Sequence, residues 1–357
     1  MKNSTWIVAC LCLAALAAPL VAGDGRGQVF LRADGKPVTV DADIPPYNPA
    51  PPLTGDLHIV GGLSRPPGSA TAAGPSTTDT LIELWAEIFH RAHPSVRIHT
   101  ALYASLNAAG ALAEQSAQLG VASRELLPHE MYIFKQKTFH PMGIPVASGT
   151  YDIQGVAPSQ VVIVNKDNPL AKLTLAQVDA IFSKTRKRGY KEDITRWGQL
   201  GLTGDWADKG INLYSFTLPD GIGYFFMLRA LNDGEFKDSL RQEMKQDLVV
   251  QRVAEDRYGI AYVNRPYVKP TVKVIALGET EGGPFSVGSF EEVLKGTYPL
   301  SRVIYMYVNV YPDKPIDPLA KEFLRAVLSQ EGQQAAARSV YMPLGAAAVK
   351  ESLKKIE

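Results

Sequence analysis

Two short runs of β-branched and aromatic residues constrain this chain more than any other feature: Val161-Val-Ile-Val-Asn-Lys-Asp-Asn-Pro169 and Tyr298-Pro-Leu-Ser-Arg-Val-Ile-Tyr-Met-Tyr-Val-Asn309. Each reaches an asparagine and is followed within about a dozen residues by a helix-like segment, so each reads as a buried strand feeding a helix. They lie about 140 residues apart. That separation predicts a chain that leaves one lobe, builds a second and returns, so that the core of one lobe is discontinuous in sequence.

The first residues point to export. Lys2 supplies a positive start, Trp6 to Leu16 an apolar core, and Ala14 to Ala22 small residues, a secretory pattern over residues 1–22 with cleavage near Ala22. A membrane anchor fits less well, because Gly23-Asp-Gly-Arg-Gly ends the short apolar run at once. Ile7-Val-Ala-Cys10 looks like a lipid-attachment box but leaves almost no apolar stretch before it. Cys10 and Cys12 both fall inside the leader, so the mature chain is expected to use no disulfide, thiolate nucleophile or Cys-ligated metal. Removing the leader from 357 residues leaves about 335, ample for two domains.

Charge excludes other partners. With 37 Lys and Arg against 36 Asp and Glu, the net charge of +1 gives no bulk attraction to nucleic acid or to a membrane surface. Lys184, Arg186, Lys187, Arg188 and Lys191 cluster, but such a run reads as a solvated loop. His58, His90, His93, His99, His129 and His140 show no metal-ligand spacing, and His90 and His93 suit a helix end. Gly221-Ile-Gly223 is too short for a nucleotide fingerprint, and Ser76 has no evident His and Asp partners for acyl transfer. No enzyme and no cofactor are expected.

Along the chain, residues 23–55 are rich in Pro, Gly and Asp and read as an extended arm laid on the first lobe, or a tether. Strand 57–61, a helix from Asp79 to Ala92, strand 96–101, a helix over 108–118 and strand 119–122 then alternate. This βαβαβ order predicts parallel pairing with ligand sites at the strand ends. A middle block follows: strand 161–165, a helix over 175–182, a turn at Trp197, strand 211–216, helix 222–232, and strands near Val249 and at 259–263. Strand 302–309, helices 319–328 and 332–338 and an amphipathic tail from Ala346 complete the chain. The expected organisation is lobe I over 56–155 plus 297–357 and lobe II over 156–296.

Several segments together resemble the phosphate-binding subfamily of periplasmic solute-binding proteins that serve ABC importers. They are Ser123-Arg-Glu125, Val161 to Pro169, Leu173 to Ser183, Ile194 to Leu200, Tyr258 to Tyr262, Tyr298 to Asn309 and Asp317 to Gln334, and the likeness covers most of residues 52–357. The resemblance implies an α/β, two-lobed type II periplasmic binding fold, each lobe a mixed sheet flanked by helices, with two crossing strands. It also implies a periplasmic, monomeric protein that closes around phosphate or a related oxyanion and feeds a membrane ABC permease. Such sites hold anions with helix N-termini, hydroxyls and usually one arginine.

The resemblance places the candidate ligand residues in four loops. Thr77, Thr78 and Asp79 stand at the first anion loop, where they also fit a plain helix cap. Ser105 and Asn107 are the polar remnants of a second loop, and Ser123 and Arg124 end the third strand, Arg124 being either the ligand's cation or half of a salt bridge. In the fourth loop Phe216 takes the place of the family's arginine, Asp220 and Ile222 replace two hydroxyl residues, and Gly221 is kept. Gly62 to Pro75 is an insertion. Losing one charge-assisted hydrogen bond costs about 1.5–3 kcal/mol, so these changes weaken a family-type pocket unless another group compensates. The alternative is therefore a family member that has lost phosphate and serves as a sensor or interaction protein, with Asp220 capping its own helix.

Overall fold

The computed structural model describes residues 38–62, 77–151, 157–339 and 341–357. The expected leader and nearly all of the inserted stretch fall outside these residues.

The first elements are β1 (Gly55–Gly62), α1 (Thr77–Ala92), β2 (Val96–Leu102), α2 (Leu106–Ala113), β3 (Leu119–Ala122), α3 (Pro128–Tyr132) and β4 (His140–Ser148). Next come β5 (Gln160–Asn165), β6 (Lys172–Thr174), α4 (Leu175–Phe182), β7 (Asn212–Phe216), α5 (Gly221–Leu231), β8 (Arg241–Glu243) and α6 (Gln246–Glu255). β9 (Gly259–Asn264), β10 (Val272–Val274), β11 (Ala276–Gly278) and α7 (Phe290–Leu294) lead to β12 (Val303–Val310), α8 (Pro318–Val327), α9 (Gln330–Arg338) and α10 (Ala346–Ile356).

These build two five-stranded sheets, ordered β2-β1-β3-β12-β4 and β10-β5-β9-β7-β8, and a small two-stranded sheet of β6 and β11. In the first, β1 pairs in parallel with β2 and β3, as alternating strands and helices require. β12 then enters antiparallel between β3 and β4, which makes the sheet mixed. In the second, β7 is parallel to β8 and β9, while β5 is antiparallel to β9 and β10. Val303 to Asn309 thus belongs to the first sheet and Val161 to Asn165 to the second, while Tyr298 and Leu300, just before β12, pack in the second core.

Each large sheet has its own apolar core. Leu57, Ile59, Trp85, Phe89, Phe323 and Leu324 pack together around the first, and the buried Trp85 indole N–H donates to Gly332 O at 2.8 Å. Val161 to Val164, Phe182, Trp197, Phe226 and Tyr262 fill the second, where the Phe226 and Tyr262 rings stack with centroids 3.9 Å apart. Every residue of β5 and β9 is buried, the pattern of a strand covered on both faces.

Several elements differ from expectation: α3, β6, β8, β10, β11 and α7 are additions, and three further differences have a clear physical cause. The segment around Val249 is the helix α6, not a strand: Val249, Val250 and Val253 all bury on one helical face, so packing overrides the strand preference of β-branched residues. α2 ends at Ala113, because Gln115 takes a positive φ of 54° and breaks the helix before 118. β4 is an unforeseen strand that contains Pro141 and Pro145. It lies at the sheet edge, where a residue without an N–H is tolerated, and the ladder slips opposite Pro145.

The described part of the arm lies on the helices of the first sheet. Ile44 is buried, and Pro45 O accepts from Gln330 N at 2.8 Å. Tyr47 donates its hydroxyl to Glu322 Oε1 at 2.8 Å, and Ala50 N donates to the same oxygen at 2.9 Å. Leu53 N donates to Nδ1 of the buried His93 at 3.1 Å. The basic loop is a paired surface: Lys184 meets Glu235 and Asp238, Lys187 meets Asp233, and Arg188 meets Glu279.

Candidate ligand-binding site

The two connections between the sheets run side by side. Gly149 N donates to Arg302 O at 2.9 Å, Thr150 N to Ala157 O at 3.1 Å, and Gln160 N to Leu300 O at 3.1 Å. The strands β5 and β12 therefore begin at the crossing. The C-terminal ends of β1 and β3 and the N-terminus of α5 are held near it, which is where an open α/β sheet places ligands.

On the first-sheet side, Ser105 precedes α2 and is buried; its hydroxyl donates to Gly62 O at 2.7 Å and accepts from Ser123 N at 3.1 Å. Ser123 Oγ lies 3.4 Å from it. The two serines thus brace the ends of β1 and β3 against each other. Asn107 is exposed on the first turn of α2. Thr77, Thr78 and Asp79 occupy the first turn of α1.

Arg124 does not reach out from the end of β3. Its Nη1 and Nη2 each lie 2.7 Å from a carboxylate oxygen of Glu130, both side chains are buried, and Leu127 N adds a third bond to that carboxylate at 2.7 Å. Burial pushes the Glu130 carboxyl up, but the bonds from Arg124 and Leu127 outweigh it and hold the group below its usual range. The next residue, Glu125, turns toward the other lobe: its Oε1 accepts from Tyr305 Oη at 3.0 Å and lies 3.7 Å from Nη1 of Arg229 on α5.

On the second-sheet side, Asp220 caps α5, accepting from Ile222 N at 3.1 Å and Gly223 N at 2.8 Å. Burial raises its pKa against the pull of those two N–H groups. Gly221 opens the helix, is exposed, and has open space where a Cβ would stand. Leu218 and Ile222 pack against the second core, whereas Phe216, at the end of β7, is half-buried and outside that cluster.

Two residues with no assigned role in the sequence reading also sit here. Gln160, wholly buried at the start of β5, donates to Ile222 O at 2.8 Å, and its Oε1 has no partner among the described residues. Arg302, 6% exposed just before β12, places its guanidinium 4.1 Å from the Phe225 ring centroid, with Nη2 3.3 Å from Gly221 O. The signal was a lone cation within an otherwise apolar strand run. Two mixed sheets, joined by paired crossings with polar groups and helix N-termini gathered beside them, define a two-lobed binding protein.

Comparison with known proteins agrees with that class. A family model described as a PBP superfamily domain matches residues 63–331. The phosphate-binding protein PstS of Pseudomonas aeruginosa is 37% identical over 318 residues, spanning 89% of this chain and 92% of that protein. The protein SphX of Synechococcus elongatus is 24% identical over 74% of each chain. The crystal structure of PstS from Borrelia burgdorferi matches with a TM-score of 0.53 at 13% identity, covering 81% of this chain and 98% of that one, a likeness of fold. The chain belongs to the PBP superfamily and, within it, to the family of PstS.

Proposed function

We propose that this protein is an extracytoplasmic phosphate-binding component of an ABC-type importer, a receptor and not an enzyme. The observation that carries this reading is the 37% identity to a phosphate-binding protein along 89% of the chain. The leader pattern of residues 1–22 supports export to the periplasm. Ligand capture works by closure: contacts available only when both lobes touch the anion favour the closed state, and the protein then presents the loaded form to its membrane permease as a monomer. Among the described residues, Ser123, Gly221 and the first turns of α1 and α5 stand at the strand ends and helix N-termini that such a site uses.

A second reading is favoured by a specific observation. Ser105, Arg124 and Asp220 are all engaged within the protein, with Gly62, Glu130 and the N–H groups of α5. A chain whose expected ligand groups are committed in this way fits a sensor or interaction protein that has lost phosphate. Calorimetric titration of phosphate, with sulfate as control, into residues 23–357 freed of anion by unfolding and refolding separates the two. Saturable micromolar or tighter phosphate binding is expected; refolded native protein that gives no heat with phosphate leaves only the second reading.

A further inference from the structure

Arg302 is an unusual cation. It is nine-tenths buried, and among the described residues its Nε–H has no acceptor and no carboxylate lies within 4.0 Å of it. Buried charges are normally paired or fully hydrogen-bonded, since removing a charge from water is costly. Among the described residues its one hydrogen-bond partner is Gly221 O, at a long 3.3 Å, while Phe225 covers one face. Burial lowers its pKa to about 10, with Asp220 drawing it back up, so the guanidinium is charged at neutral pH.

Its surroundings suit an anion. α5 is eleven residues long, and its first turn presents partial positive charge. The Asp220 carboxylate takes the N–H groups of Ile222 and Gly223, not that of Gly221, and the space beside Gly221 is open. Arg124 is near enough to repel Arg302 electrostatically but is itself neutralised by Glu130. Of the cations around the crossing, Arg124 and Arg229 have carboxylate partners and Arg302 has none within that distance.

We propose that Arg302 is the cation of the ligand site: its guanidinium, with no carboxylate within 4.0 Å among the described residues and buried against the first turn of α5 at the crossing between the sheets, binds a tetrahedral oxyanion through the N–H groups that Gly221 O does not take. The inference rests on the oxyanion-binding reading above and names the residue that compensates for the phenylalanine at position 216. A planar guanidinium suits this task, because its forked donors match two oxygens of one anion. Since the residue lies on a crossing segment and touches the other lobe's helix, a bound anion there also ties the two lobes together.

The test is calorimetric titration of phosphate and of sulfate into wild-type protein, Arg302→Met and Arg302→Lys, with thermal melts of each anion-free form. The NMR signal of the Arg302 Nε–H is followed in the wild type during titration. Loss of the charge-assisted bonds is expected to weaken phosphate binding roughly 100-fold in Arg302→Met, with a smaller loss in Arg302→Lys, which keeps the charge but not the fork. The Nε–H signal is expected to shift at saturation. Should Arg302→Met fail to fold, Arg302→Lys carries the comparison. Variants that bind phosphate as the wild type does overturn the proposal and leave the phosphate reading standing. Wild type that takes sulfate but not phosphate, and loses it on substitution, upholds the proposal and ends the phosphate reading; wild type that binds neither overturns both.

Discussion

Arg124 and Glu130 form a buried, two-pronged ion pair, each guanidinium nitrogen 2.7 Å from its own carboxylate oxygen. The pair spans only six residues, yet it closes the turn between β3 and α3. It also converts the arginine that sequence reasoning offered as a ligand into a fastener. Removing either partner strands a charge in the interior.

Arg124→Met is therefore expected to destabilise the protein by about 3 kcal/mol while leaving phosphate affinity much less changed than Arg302→Met does. Equilibrium unfolding in urea, paired with calorimetry, checks both halves. The pH dependence has a definite sign. Glu130 has a folded pKa below its unfolded one, so its contribution is complete above about pH 4.3 and is lost as pH falls through the folded value. The stability gap between wild type and Glu130→Gln should close in that acid window.

Asp220→Asn should be neutral or stabilising at pH 7. Asparagine caps a helix as well as aspartate does, and the substitution removes a carboxylate whose pKa is raised by burial. A raised carboxyl pKa means that stability falls as pH rises from the unfolded value through the folded one, a slope the substitution should abolish. Asp220→Ala, which loses the cap, should cost about 1 kcal/mol. Taking a negative charge from the first turn of α5 is further expected to tighten phosphate binding by up to about tenfold. Melting curves from pH 3 to 8 and titration at pH 7 measure these effects.

Tyr47→Phe should loosen the arm. The hydroxyl donates to Glu322 at 2.8 Å and lies 3.1 Å from His93 Nε2, so its loss leaves buried polar groups short of a partner. The expected cost is about 1–3 kcal/mol. Limited proteolysis near residues 38–53 should quicken while phosphate affinity stays unchanged. Burial pushes Glu322 up, but bonds from Ala50 N and Tyr47 bring it below its usual range, so the same loosening should appear in wild type as pH falls through that value.

Gly61→Ala should disrupt the first sheet at the ligand end. Gly61 has a φ of 119°, and an added Cβ would overlap the Val121 carbonyl oxygen on the paired strand. A loss of several kcal/mol is expected, about the scale of strained backbone combined with a broken ladder. It should be visible as a lower melting temperature and as weaker phosphate binding, because Ser105 and Ser123 depend on that strand end.

How much of this was legible varied with the reach of the interaction. Runs such as Val161 to Asn165 and Leu175 to Phe182 carry their own periodicity, and they form β5 and α4 as read. The stretch around Val249 was misread because three valines favour a strand locally, whereas a helix lets them share one buried face against β9 and β5. β4 was missed because its two prolines signal a loop unless one knows that the strand lies at an edge. Asp220 as a cap was readable from its place before a helix; Arg124 could not be assigned, since ligand contact and salt bridge look alike in one dimension.

By itself, then, the sequence determined the leader-like pattern with both cysteines inside it, most strands and helices, the two-lobed α/β class and the loops that depart from the family. The leader, the strands and the helices rest on composition and short-range periodicity, the class and the departing loops on the family resemblance as well. Only the tertiary structure decided which polar groups are spoken for. Glu130 claims Arg124, Gly62 claims Ser105, and Arg302 is left buried with no carboxylate within 4.0 Å among the described residues. The physical reason is that the cost of a buried charge depends on neighbours within about 4 Å, and for Arg302 those neighbours come from a segment about 80 residues away, brought to it only when the chain crosses between its two large sheets.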